Sequence, residues 1–198
     1  MKWYKYDIRD LSEAEYRKWF SLMNEEKQKK VNRFHFEDDK KRTVAGEMLA
    51  RKAIAEWCSI SAEEIVFGKK KNGKPFAENL AVEFNISHSG NIVVCAVANN
   101  LIGIDIEQVR PIELKIAKRI YTEDELCYLF GFAPSEDDFN VSPDDEMLIR
   151  FFELWTAKEA YLKYTGTGIT DNLQTLSVNS EKTEKEYFED YVITVYRD

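Results

Sequence analysis

The chain lacks a basic excess: among 198 residues, 28 Lys and Arg stand against 36 Asp and Glu, a formal net charge of -8. Proteins that grip phosphate backbones gain affinity from counterion release and carry a surplus of Lys and Arg, so nucleic acid is not the expected target. Long apolar runs are missing too. The longest, Ile92 to Ala98, has seven residues, where a helix needs about 20 to span a bilayer. Seven suit a buried strand, and no membrane segment is expected. Met1 to Asp10 mixes Lys, Tyr, Asp and Arg, unlike the apolar stretch of a signal peptide, so a cytoplasmic location is expected. Cysteines are few and odd in number. Cys58, Cys95 and Cys127 lie more than 30 residues apart, which fits reduced thiols, and no CxxC pair or Cys/His cluster suggests zinc.

What is present is core-forming material: 44% hydrophobic and 13% aromatic residues, enough for one large domain or two small ones. Ser12 with Glu15 reads as a capping box opening a helix that carries Tyr16, Trp19 and Phe20. A longer helix is expected from about Asp38 to Trp57. There Val44, Met48, Leu49, Ala53 and Ile54 recur at helical spacing, while Lys41, Arg42, Arg51 and Lys52 form a basic exposed stripe. Gly68 to Pro75 is turn-rich, with Asn72-Gly73 as its signal. Val82–Ile86, Asn91–Ala98 and Leu101–Glu107 read as strands in a hairpin-like unit, with Ser87-His88-Ser89-Gly90 as the first turn and Asn99-Asn100 as the second. Beyond Pro111 the pattern is helical, with Thr122 as a cap before Glu125. Gly131 to Glu146 is acidic and aperiodic and reads as a mobile loop. Met147–Tyr164 is a helix ended by Gly166 and Gly168, and Leu173–Val178 and Tyr191–Tyr196 are strand-like. Helices followed by strands occur about twice, split near residue 108, which gives an α+β fold with an N-terminal lobe, 1–108, and a C-terminal lobe, 109–198.

Four groups of residues could carry chemistry. Asp105 and Glu107, two apart on a strand, send both carboxylates to one face and Ile104 and Ile106 to the other. Paired hard oxygens on a rigid strand suit Mg²⁺, although any half-exposed strand alternates in this way. Trp155, Glu159 and Lys163 share a helix face at spacing four. The pair Glu159 and Lys163 could be an ordinary surface pair, but the apolar company of Leu154, Tyr161 and Leu162 argues for a cleft wall. His88 is suited to donate to a phosphate or to act as a base, or simply to sit satisfied in its turn. Basic clusters at Lys27, Lys29, Lys30 and Arg33, at Lys40, Lys41 and Arg42, and at Lys69, Lys70, Lys71 and Lys74 concentrate positive potential in an acidic chain.

Together, in order, these segments resemble the 4'-phosphopantetheinyl transferases, in particular the larger, pseudo-dimeric Sfp-like group. The resemblance runs through Arg33-Phe34, Arg42-Thr43, Gly46 to Arg51, Gly73-Lys74-Pro75, Phe84 to Gly90 (FNISHSG), Gly103 to Glu107, Arg110-Pro111, Ile116 to Arg119, Leu154-Trp155, Lys158-Glu159-Ala160, Lys163 and Gly166 to Gly168. It implies two pseudo-twofold-related α/β lobes with the active site in the cleft between them. It further implies transfer of the phosphopantetheine arm of coenzyme A to a serine of an acyl or peptidyl carrier protein, with release of adenosine 3',5'-bisphosphate. By the same resemblance, Asp105, Glu107 and Glu159 would hold Mg²⁺, or Mn²⁺ in its place. Glu159 or a water it orients would take the serine proton, and Lys163 would sit on the phosphates. Ser87, His88, Arg42, Lys74 and Lys158 would contact the cofactor, with Lys27 and Lys30 at the 3'-phosphate. The carrier would meet Ile112, Leu114, Ile116, Ile120 and Tyr121, and the enzyme would act as a monomer.

The rival reading is a non-catalytic coenzyme A-binding protein on the same fold, for which retained metal carboxylates would be superfluous. An unrelated Mg²⁺ phosphotransferase would need a Gly-rich phosphate cradle, which is missing. Members of the group carry one more apolar strand after the one matched by Tyr191–Tyr196, so the second lobe is expected to be one strand short, by truncation or by a different closure.

Overall fold

The computed structural model describes residues 1–70, 73–168 and 172–198. Lys71 and Asn72, read above as part of a basic cluster and of a turn, lie outside the described residues.

The chain opens with β1 (Lys2–Asp7), then α1 (Glu13–Ser21), α2 (Glu25–Asn32) and α3 (Glu37–Cys58). A short ribbon, β2 (Phe67–Lys69) with β3 (Pro75–Ala77), precedes β4 (Glu83–Ser89) and β5 (Ile92–Ala98). The second half contains β6 (Ile102–Gln108), α4 (Ala117–Ile120), α5 (Glu123–Phe130), α6 (Asp145–Thr165), β7 (Thr183–Phe188) and β8 (Tyr191–Arg197). The strands form two three-stranded antiparallel sheets, β1-β5-β4 and β6-β8-β7, plus the ribbon. Each sheet is built in the same order: one strand, a long helix, then a hairpin whose second strand pairs with the first strand. Among the described residues no helix is long and apolar enough to cross a membrane.

β5 holds the halves together. Val93, Cys95 and Val97 face α3, where they pack on Val44, Met48 and Ile54. Ile92, Val94 and Ala96 face Ile102, Ile104 and Ile106 of β6 and Ile193 and Val195 of β8. A strand buried on both faces reads as a continuous apolar run rather than an alternating one, and each of its buried Val and Ile side chains contributes about 1.5–3 kcal/mol on leaving water. A third core gathers Tyr121, Leu129, Phe130, Phe151 and Phe152 beneath α6.

The expected helix starts are present: Ser12 and Thr122 each form a capping box with the glutamate three residues on, and Gly166 ends α6 in the left-handed conformation. Other expectations need correction. Ser87, His88 and Ser89 are not a turn but the end of β4, and the turn falls at Gly90, with φ 53°. Asn99-Asn100 does not close a hairpin; it carries the chain from one sheet to the other. Leu173–Val178 is not a strand: a 3₁₀ turn at Leu173–Thr175 takes its place. The acidic 131–146 segment is anchored, because a 3₁₀ turn at Glu136–Asn140 seats Phe139 against Phe130. Tyr191–Tyr196 falls in the middle strand of the second sheet, and its neighbour β7 is a polar edge that the sequence pattern did not reveal.

The basic stripe of α3 is also interrupted. Arg51 is buried, pairs with Glu47 at 2.8 Å and donates to the carbonyls of Leu22, Ala62 and Ile65. Its guanidinium therefore ties α3 to the chain on either side of it instead of facing solvent.

Candidate active site

The site begins with a glycine. Gly103 on β6 faces α6 so closely that a Cβ there would lie 1.9 Å from the carbonyl oxygen of Ala160 and 2.7 Å from the amide of Tyr164. Only a residue without a side chain lets the helix cross the strand at this distance. The crossing lays the polar face of β6 under the Trp155, Glu159 and Lys163 face of α6, while Ile102, Ile104 and Ile106 fill the core on the other side. Between them opens a cleft of about 330 Å³. It is lined by Ile86, Ser87 and His88 of β4, Asp105 and Glu107 of β6, and Trp155, Glu159 and Lys163 of α6.

Inside the cleft, Asp105 Oδ1 accepts from Ser87 Oγ at 2.7 Å and pairs with Lys163 Nζ at 2.5 Å. Lys163 also donates to Ser87 Oγ at 2.8 Å. Glu107 Oε2 accepts from Ser89 Oγ at 2.9 Å, and Glu107 Oε1 from Trp155 Nε1 at 3.4 Å. Two carboxylate oxygens, Asp105 Oδ2 and Glu159 Oε1, are buried without a hydrogen-bond partner. Such atoms cost free energy unless something fills the gap. Burial, then the Asp105 charge, raises the pKa of Glu159, against the lowering effect of Lys163. Glu107 is raised for the same two leading reasons. The imidazole of His88 is held below its usual range, first by desolvation and then by Arg42 and Lys163.

Three carboxyl groups gathered in one cleft, beside a lysine ammonium, form a place where a hard cation and phosphate oxygens would each find a partner. Among the described residues no three His, Cys, Asp or Glu side chains stand together as a preformed metal cage. What the cleft offers is the two unpartnered oxygens.

The structure thus brings together six of the residues singled out from the sequence: Asp105, Glu107, Glu159, Lys163, Ser87 and His88. Arg42 stands at the end of β4, donating to Gly90 O at 2.8 Å and pairing with Asp39 at 2.6 Å. Lys74 reaches across from the ribbon to donate to Lys163 O at 2.9 Å, near the C-terminal end of α6, where a cation is favoured. Burial lowers its pKa. Lys27 and Lys30 line a separate, larger cavity of about 990 Å³ between α2 and the ribbon, with Lys29, Arg33, Lys69 and Pro75. There Lys27 pairs with the buried Glu47 at 2.7 Å.

Lys158 does not belong to the site. It is 1% exposed, pairs with Glu125 at 2.8 Å and donates to the carbonyls of Leu173 and Leu176. On α6 it projects away from the face that carries Glu159, and a fully engaged buried ammonium cannot contact a cofactor. The residues expected to meet a carrier are mostly enclosed. Leu114, Ile120 and Tyr121 are buried in the core beneath α6, and Tyr121 Oη donates to Phe151 O at 2.7 Å. Ile116 is exposed and Ile112 partly so. The sequence reading missed Ser89 and Asn85. Their signal was the small polar side chains of Asn85, Ser87 and Ser89 at alternating positions, visible only once this stretch is read as strand.

Comparison with known proteins divides the chain between β5 and β6. A family profile described as 4'-phosphopantetheinyl transferase, N-terminal, matches residues 10–100, and that of the 4'-phosphopantetheinyl transferase superfamily matches 101–195. The 4'-phosphopantetheinyl transferase Sfp of Bacillus subtilis (strain 168) is 36% identical over 174 residues, covering 87% of this chain and 73% of that protein. The 4'-phosphopantetheinyl transferase psf-1 of Bacillus pumilus is 39% identical over 153 residues, 77% of this chain and 61% of that protein. The 4'-phosphopantetheinyl transferase gsp of Aneurinibacillus migulanus is 35% identical over 164 residues, 83% of this chain and 65% of that protein. With the two profiles abutting at the point where one sheet gives way to the next, and with relatives of this similarity over most of its length, the chain belongs to the 4'-phosphopantetheinyl transferase family.

Proposed function

We propose that this protein transfers the 4'-phosphopantetheine arm of coenzyme A to a serine hydroxyl of an apo acyl or peptidyl carrier protein, in a Mg²⁺-dependent reaction that releases adenosine 3',5'-bisphosphate. The observation that carries the reading is the pair of buried, unpartnered oxygens, Asp105 Oδ2 and Glu159 Oε1, beside Lys163, in a chain of this family. Their hard-oxygen character fits Mg²⁺ or Mn²⁺, with Asp105, Glu107 and Glu159 as the residues that would hold it. When bound there, the ion supplies neutralisation of charge on the pyrophosphate oxygens.

The chain's own groups do the rest. Lys163 turns its ammonium from Asp105 toward the phosphates. Glu159, in the cleft beside Lys163, accepts the serine proton, directly or through a water. The 990 Å³ cavity suits the adenosine half of coenzyme A, with Lys27 and Lys30 toward the 3'-phosphate. His88 lines the cleft, Lys74 donates to Lys163 O and Arg42 to Gly90 O, positions from which all three would turn toward the phosphates. Charge is concentrated where phosphates would lie, so net acidity is no obstacle to the cofactor. An acidic carrier, by contrast, gains no long-range steering from a chain of net charge -8. Docking then relies on apolar contact, for which Ile112 and Ile116 remain available. Incubation with coenzyme A, Mg²⁺ and apo carrier proteins of both classes should add the mass of one phosphopantetheine arm to a carrier. No mass gain on any of several carriers would sink the proposal.

A further inference from the structure

β4 and β6 lie side by side but belong to different sheets, and short polar side chains bridge them. Asn85 Oδ1 accepts the Ile104 amide at 3.0 Å, Ser87 donates to Asp105, and Ser89 donates to Glu107 Oε2. The proposed reaction gives Ser87 a place beside the phosphates and gives Ser89 none. Yet Ser89 is buried, and its Oγ also accepts the amide of Gln108 at 3.1 Å. A hydroxyl has one proton and two acceptor positions. With Gln108 N–H donating to it, its proton is free to be directed at Glu107 Oε2. Ser89 thereby grips the Glu107 side chain and the backbone of the next residue at once, which fixes both the strand and the rotation of the carboxylate. The other contacts to Glu107 are longer: Trp155 at 3.4 Å and the exposed Arg110 at 3.6 Å.

We propose that Ser89 is a positioning residue that aims Glu107 at a divalent cation in the cleft. The inference rests on the cation reading above, and its test separates the two. Outer-shell partners of metal ligands typically contribute 10–100-fold to metal affinity. Mn²⁺ alone is titrated into the purified protein, and the free ion is followed by electron paramagnetic resonance. Ser89→Ala should weaken Mn²⁺ binding about 10-fold or more, and Ser89→Thr, which keeps the hydroxyl, should restore most of it. In a Glu107→Ala background, Ser89→Ala should add no further loss, because the group it orients is gone. Equal Mn²⁺ affinity in wild type and Ser89→Ala overturns the inference, as does an equal loss in both backgrounds. Should Ser89→Ala fail to fold, Ser89→Cys, of similar shape but a weak donor, decides in the same way. A wild type that binds no Mn²⁺ sinks the cation reading and this inference with it, whereas wild-type binding with no loss on substitution sinks the inference alone.

Discussion

Lys158→Met separates a cofactor contact from a structural strut. The substitution keeps the length and apolar stem of the side chain and deletes the ammonium. Three partners lose their donor: the Glu125 carboxylate at 2.8 Å and the carbonyls of Leu173 and Leu176. Removing one member of a buried ion pair costs about 3–5 kcal/mol. Glu125 is 15% exposed and retains the Thr122 amide at 2.8 Å, so the lower end, about 3 kcal/mol, applies. For a chain of this size each kcal/mol is worth roughly 2–4 °C, which places the fall in melting temperature at roughly 6–12 °C. Below the transition, KM for coenzyme A and kcat should stay within roughly twofold of wild type. Differential scanning fluorimetry and initial rates at a temperature where both proteins are folded make the comparison. An unchanged melting temperature together with a raised KM for coenzyme A would refute the reasoning and return Lys158 to the cofactor.

Three further outcomes are expected. Because the folded state raises the pKa of Glu159, it holds that proton more tightly than the unfolded chain does. The stability contributed by the protonated group is present below the ordinary carboxylate range and is lost as pH rises through the raised value. The melting temperature of wild type minus that of Glu159→Gln should therefore decline with rising pH in metal-free buffer, and a difference that grows would contradict the cause assigned. Gly103→Ala should destabilise the fold by at least about 1–3 kcal/mol in thermal melts and lower activity as well, because the new methyl meets backbone of α6 at 1.9 Å rather than a movable side chain; a variant of wild-type stability would show the helix and strand to be less closely apposed. Phe139→Ala should cost about 3–5 kcal/mol and expose the 131–146 segment to limited proteolysis, whereas unchanged resistance would mean that this ring does not anchor it.

Legibility in the sequence followed physical locality. Capping boxes at Ser12 and Thr122 and the glycine stop at Gly166 are set by residues within one turn, and they could be read directly. The apolar run Ile92–Ala98 announced a strand buried on both faces. β1 and β7 were hidden because edge strands carry charges, as in Lys2–Asp7 and Thr183–Phe188, which mask their alternation. α2 was hidden for a similar reason: it is eight residues long and offers the core only Val31. At the site, Asp105, Glu107, Glu159 and Lys163 were found because strand period and helix period each place them on one face. The partners of Lys158 and Arg51 were not, since a lysine or arginine on a helix looks the same in sequence whether it meets water or a buried carboxylate from another element. The same limit applied to Leu114, Ile120 and Tyr121, whose apolar spacing marked a packed face and not an open one.

The central claim is that the carboxylates and the lysine of one cleft carry group transfer to a carrier protein. It is tested most directly by the intact mass of an apo carrier after incubation with coenzyme A and Mg²⁺, using wild type beside Asp105→Ala, with equal circular dichroism spectra confirming equal folding. The account predicts a carrier heavier by one phosphopantetheine arm with wild type and an unmodified carrier with Asp105→Ala. A carrier modified at near wild-type rate by Asp105→Ala would contradict it.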